Sequence, residues 1–208
     1  MNYGEELAYW YFRLNGFFPL LGFVLHERPG RRPSDCDVLA VRPPYADEPV
    51  GGAAEVDSWL SEMTQDHRTM AVICEVKTGE WNPETVLPPA SIREAVRRIG
   101  LDSDPQTVAS ALIDAPSAET SNGDVILKIV IAAQRYARQG PYRLVSLEHV
   151  NAFICERMRA HSEKHRDRHF FHSSLLQYII HFGSIYDRPR EPDLVAETVP
   201  ICPKASPL

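Results

Sequence analysis

The stretch Val72-Ile73-Cys74-Glu75-Val76-Lys77-Thr78 constrains this chain more than any other. Its β-branched, apolar opening reads as a buried strand, and a buried strand does not tolerate unpaired charge. It ends on a carboxylate and an ammonium two residues apart, which the alternation of a strand puts on one face. The strand therefore runs out of a dry core to a place where charge is compensated. A salt bridge at a sheet edge satisfies that requirement, and so does a polar site at the strand end.

The surrounding pattern predicts what this strand pairs with. Leu7, Trp10, Tyr11 and Leu14 recur at the helical period, so residues 3–15 read as a helix, with Asn2 as N-cap and Gly16 as its stop. Phe17 to Glu27 is an apolar run of strand type, and Pro29 to Pro33 a turn. Asp35 to Arg42 alternates as a strand. Residues 43–68 hold Pro43-Pro44 and Gly51-Gly52 around a short helix from Ala54 to Met63, and read as an insertion before the strand Thr69–Lys77. A helix starts at Pro88-Pro89 and runs to Ile99, a shorter one spans 107–114, and 118–123 is a polar loop. Val125–Ala133 and Tyr142–Ser146 are strands. Glu148–His161 and Phe171–Phe182 are helices, and the proline-rich residues 189–208 form a tail. The order predicts one α/β domain over residues 1–188, with a mixed sheet flanked by helices and with added C-terminal helices at about 148–182.

Composition narrows the class. The 208 residues are 44% hydrophobic and 24% charged, as in an ordinary globular chain, and no apolar run approaches a membrane span. The first residues carry neither a basic segment nor an apolar one, so no signal peptide is expected and the cytoplasm is the expected location. The four cysteines form no C-x-x-C pair, which argues against a zinc knuckle. Cys36 and Cys74 each precede an acid on a strand and are expected on the opposite face, packed as small apolar residues. The formal net charge of −6 disfavours a broad nonspecific phosphate-binding surface.

An acid on one strand followed by Glu-x-Lys at the end of the next suits phosphodiester hydrolysis. That reaction needs a water nucleophile and neutralisation of charge on the phosphoryl oxygens, and Mg²⁺ held by one or two carboxylates supplies both. Asp37 and Glu75 are the expected metal ligands, with the Val76 carbonyl a third. Lys77 is the expected catalytic cation, and Glu5 on the first helix would extend the metal shell. Asp35 shares the strand face of Asp37 and competes with it for the metal. Asp37 is preferred because Val38-Leu39-Ala40 continues it as a buried strand.

Three pieces, Gly4-Glu5-Glu6-Leu7-Ala8, Asp37-Val38-Leu39-Ala40 and Glu75-Val76-Lys77, resemble the PD-(D/E)XK nuclease superfamily over the first 80 or so residues. The opening helix is similar to that of its Holliday-junction-resolvase-type branch. The resemblance implies a restriction-endonuclease-like three-layer core. It also implies a metal-dependent nuclease acting on nucleic acid, with DNA the expected substrate, Mg²⁺ the cofactor (Mn²⁺ able to substitute), and Asp37, Glu75, Lys77 and Glu5 in the roles above. Two departures stand out: Cys36 replaces the proline that often precedes the first acid, and 38 residues separate Asp37 from Glu75. Members of this fold often pair as homodimers. The alternative is a catalytically silent module of the same fold that binds nucleic acid or a partner protein.

Further residues have two readings. Arg31 and Arg32, with Arg28, sit in the loop leading to Asp37, placed for phosphate contact or for simple solvation. Gln134 follows a buried strand, where it would touch substrate or end the strand. Trp81 would stack on a base or cap the core. His161, His165 and His169, interspersed with Lys164, Arg166 and Arg168, read best as a solvated, mildly basic surface.

Overall fold

The computed structural model describes residues 2–25, 34–46, 56–64, 68–133, 140–160, 173–175 and 177–179. Along the chain run α1 (Tyr3–Leu14), β1 (Phe18–Leu25), β2 (Ser34–Arg42), α2 (Ser58–Thr64), β3 (Met70–Lys77), α3 (Pro89–Ile99), α4 (Pro105–Asp114), β4 (Ser117–Glu119), β5 (Val125–Ala132), β6 (Arg143–Ser146) and α5 (Leu147–Ala160). Among the described residues the strands form one mixed six-stranded sheet in the order β1-β2-β3-β5-β4, with β6 also on β5. β1, β2 and β3 are antiparallel neighbours, and β3 and β5 are parallel from Met70↔Val125 to Lys77↔Ala132. The outer edge of β5 is shared: β4 pairs antiparallel with its first half and β6 parallel with its second.

Helices cover both faces, which is why β3 and β5 read as near-continuous apolar runs. On one face Leu7, Tyr11 and Phe12 of α1 and Val150 and Ile154 of α5 pack on Val72, Cys74, Val76, Ile129 and Ile131. On the other, Ile92 and Val96 of α3 and Val108 and Leu112 of α4 pack on Leu39, Ala71, Ile73 and Ile126. The α/β class with a mixed, helix-flanked sheet, expected from element order, is observed. Among the described residues no helix is long and apolar enough to cross a membrane.

Local chemistry explains the element ends. Asn2 caps α1 by accepting the Gly4 and Glu5 amides, while Glu5 returns the bond to the Asn2 amide in a capping box. α3 begins with Pro89 in its first turn and stops at Gly100, whose φ of +69° is left-handed. The insertion is fastened by a buried polar network. Tyr11 Oη donates to Asp57 Oδ2 at 3.0 Å, Trp59 Nε1 donates to Tyr11 Oη at 2.8 Å, and His149 Nε2 lies 2.6 Å from Asp57 Oδ2. Asn15 Oδ1 accepts the Asp57 amide at 2.7 Å, and Arg42 Nε donates to the Asn15 carbonyl at 3.0 Å. Tyr11 of α1 and His149 of α5 thus share the Asp57 carboxylate, Trp59 of α2 joins them through the Tyr11 hydroxyl, and burial together with Asp57 raises the Tyr11 phenol above its ordinary pKa.

Two expectations need correction. Residues 118–123 are not all loop, because β4 occupies Ser117–Glu119. Its short ladder on β5 outweighs the polar composition, which marks an edge strand rather than a turn. Cys36 is buried, but in the cluster of Leu39 and Ile73 under α3, not with Cys74 under α1. The β1–β2 partners flank an unpaired Gly22 and Asp37, and Gly22 has φ of +56°, so the regular alternation is interrupted there. The segments 161–172 and 180–208, which include the histidine-rich run and the tail, lie outside the described residues, and residues 174–175 and 177–179 are helical.

Gly4 seats α1 against the end of β3: a Cβ there would lie 2.6 Å from Thr78 Cγ2 and 3.0 Å from Val76 Cγ1. Gly4→Ala is expected to destabilise the fold by about 1–3 kcal/mol, and Thr78→Ser, which removes the opposing methyl, to recover part of that loss. Urea denaturation of both single variants and the double variant checks this through the coupling energy.

Candidate active site

The antiparallel ladder between β2 and β3 ends at Val38↔Cys74, whereas β3 continues beside β5 to Lys77. Past that point the Val76 amide has no backbone partner on β2. Asp37 supplies one: its Oδ2 accepts the Val76 N–H at 2.7 Å. The side chain thereby replaces a lost ladder bond and is fixed where the two strands part.

Glu75 and Lys77 sit beside it. Lys77 Nζ donates to Glu75 Oε2 at 2.6 Å and lies 3.5 Å from Asp37 Oδ2. The side chains are 12% (Glu75), 18% (Asp37) and 29% (Lys77) exposed, so the ion pairs are half-desolvated rather than screened. Burial pushes the Glu75 carboxyl up to about 7, and the neighbouring Asp37 pushes the same way against the opposing pull of Lys77. For Lys77, burial lowers the pKa, but the Glu75 hydrogen bond and the charges of Glu75 and Asp37 outweigh it and raise the ammonium overall. Beneath them Cys36 is pushed up to about 12 by burial and by Glu75, and burial raises Cys74 well above a normal thiol. Both are inert, packed thiols.

The cluster opens on a cleft of about 280 Å³, lined by Asp35, Glu75, Lys77, Trp81, Asn82 and Thr85 together with the start of α3. The structure therefore brings together Asp37, Glu75 and Lys77, with exposed Asp35 on the cleft wall. Val76 reaches the cluster through its N–H. Glu5 lies beside Gly4, which is packed on Val76 and Thr78, and both its carboxylate oxygens bond Asn2, Oε2 to the amide at 3.1 Å and Oε1 to Nδ2 at 2.6 Å. It serves the helix cap. Arg31, Arg32 and Gln134 lie outside the described residues. Trp81 packs with Val130, Ala132 and Tyr142, as its core-capping reading has it, and it also lines the cleft. Asn82 and Thr85 were missed by sequence reasoning, because a short loop folding back over the strand end carries no periodic signal.

The donor set suits a hard divalent cation. Two carboxylates against one ammonium leave an excess of negative charge, and that excess contributes to holding a proton on Glu75. Mg²⁺ takes one or two protein carboxylates and fills its remaining positions with water and substrate. Among the described residues no group of three or more His, Cys, Asp or Glu side chains is arranged to hold a metal ion. Compared with known proteins, the chain matches no family model, no curated relative and no solved structure.

Because the folded pKa of Glu75 lies above the ordinary value of 4.5, its contribution to stability is intact below about pH 4.5 and is lost as pH rises through about 7. In chelator-treated protein, Glu75→Gln is expected to raise Tm by about 2–4 °C at pH 8, on the order of 1 kcal/mol, and to leave it unchanged at pH 4.5. Thermal melts at the two pH values check it. An equal shift at both would show that ionisation of Glu75 is not the cause.

Proposed function

We propose that this chain is a metal-dependent nuclease that hydrolyses phosphodiester bonds of nucleic acid, with DNA as substrate. The observation that carries the reading is the convergence of Asp37, Glu75 and Lys77 where β2 and β3 separate, with Glu75 and Lys77, beside Asp35, lining an open cleft. The order helix, three antiparallel strands, helix, parallel strand supports the restriction-endonuclease-like arrangement that the sequence resembles.

Asp37 and Glu75 would hold Mg²⁺, with Mn²⁺ able to substitute. Bound there, the ion supplies Lewis-acid charge at the phosphoryl oxygens and acidifies a coordinated water. Asp37 arrives oriented, because its hydrogen bond to the Val76 amide fixes one oxygen. Glu75 releases its proton near neutral pH, so the site gains negative charge as pH rises through 7. Lys77, held by both acids, positions the attacking water and offsets charge on the scissile phosphate. Trp81 and Asn82 on the cleft wall offer a face for stacking and amide groups for hydrogen bonding.

A second reading, a catalytically silent module that binds nucleic acid or protein, is favoured by the net charge of −6 and by the tight Lys77–Glu75 pair, which is also what a structural salt bridge looks like. The test is cleavage of labelled linear, supercoiled, single-stranded and branched DNA, and of RNA, with Mg²⁺ or Mn²⁺. Lys77→Ala is expected to lose about 10²–10³-fold or more in rate with the fold intact; normal turnover by this variant would falsify the assignment. Calorimetry of Asp37→Ala and Glu75→Ala is expected to show metal binding weakened by about tenfold or more. If Asp35 is the ligand instead, Asp35→Asn will reproduce that loss and Asp37→Asn will not.

A further inference from the structure

β5 carries an anomaly unrelated to the cleft. Among Val125 to Ala132, all apolar otherwise, stands Lys128, 1% exposed and on the face under α3 and α4. Its Nζ donates to the Ile113 carbonyl in the last turn of α4 at 2.9 Å. That uses one of the three ammonium hydrogens and satisfies a helix-end carbonyl. No carboxylate pairs with it among the described residues; Asp114 acts on it only as a nearby charge and is itself exposed. Burial accordingly lowers its pKa to about 8, which leaves it mostly cationic at neutral pH. A buried cation compensated by a single carbonyl is costly, and such groups are retained where something else meets the charge.

Lys128 lines a cavity of about 300 Å³ whose walls include Val86, Leu87, Ile92, Ile113 and Tyr142. Tyr142 is 6% exposed; only the Gly140 backbone amide lies near its hydroxyl oxygen, and its O–H has no acceptor among the described residues. Buried tyrosine hydroxyls are normally paired. Two buried polar groups with unused capacity, one of them positive, therefore border a single apolar space. Glu84, the acid on its border, is exposed. The loop from Trp81 to Leu87 separates this cavity from the cleft, with Val86 in both walls.

We propose that this cavity is a binding site for a small organic anion with a flat apolar body, its carboxylate or phosphate head held by the Lys128 ammonium and the Tyr142 hydroxyl. The apolar walls exclude a fully hydrated inorganic ion, and the position of Lys128 puts the charge at the floor. The site is separate from any chemistry at Glu75 and does not rest on the nuclease reading.

The test is a calorimetric titration of the full chain with benzoate, phenyl phosphate and neutral benzamide as probes. At least one of the two anions is expected to bind about tenfold or more tighter than benzamide; whichever is tighter identifies the head group. Lys128→Met, which keeps the stem and removes the charge, is expected to abolish that preference, and Tyr142→Phe to weaken anion binding about threefold or more. Amide chemical-shift mapping of the wild-type protein needs no variant to fold, and is expected to centre the perturbation on Ile92, Ile113 and Tyr142. Equal binding of anions and benzamide, no binding of any probe, an unchanged preference in folded Lys128→Met, or perturbation centred on Lys77 would each overturn the proposal.

Discussion

One hydrogen bond organises the candidate site: the Val76 amide donating to Asp37. A sheet cannot simply stop pairing in its middle, because each freed amide is a buried donor without an acceptor. Here β2 and β3 part after Val38↔Cys74, and the acceptor that restores the balance is a carboxylate. The same event frees the backbone, places an acid, and opens the strand end to solvent. Glu75 and Lys77 then stand next to a fixed negative charge, which raises both of their pKa values. The polarity of the site is a consequence of how the sheet ends.

The sequence announced this because strands translate spacing into direction. Glu75 and Lys77, two apart after an apolar run, had to share a face, and Asp37 on the preceding strand had to meet them if the two paired antiparallel. The helices were legible for similar reasons: α1 by the period of Leu7, Tyr11 and Leu14, and α3 by Pro88-Pro89 at its start. β4 was not legible, since three residues of an edge strand carry too short an alternation to separate from a turn. The side of Cys36 was counted by simple alternation from Asp37, and the β1–β2 pairing is interrupted at Asp37, opposite Gly22 with its left-handed φ.

Other features were hidden for a different reason. The network of Tyr11, Asn15, Asp57 and His149 joins residues separated by as many as 92 positions, through contacts that no local pattern encodes. Glu5 was singled out from the opening motif, whereas its two bonds to Asn2 at the start of its own helix show only in the structure. Lys128 was visible as a lone cation in an apolar strand. Only the packing of α4 and Tyr142 around it reveals that it borders a cavity.

The two buried thiols have a consequence for how motion in this region is observed. Cys36 and Cys74 lie within two residues of the acids on their own strands and are 1% and 0% exposed. The Cys36 sulfur rests against the Cys74 carbonyl at 3.5 Å, across the seam where β2 and β3 part. A thiol reagent reaches neither while both faces of the sheet stay covered. The alkylation rate of Cys36 therefore clocks opening of the site floor from within rather than from the solvent side, whereas Cys74 reports lifting of α1 from the other face.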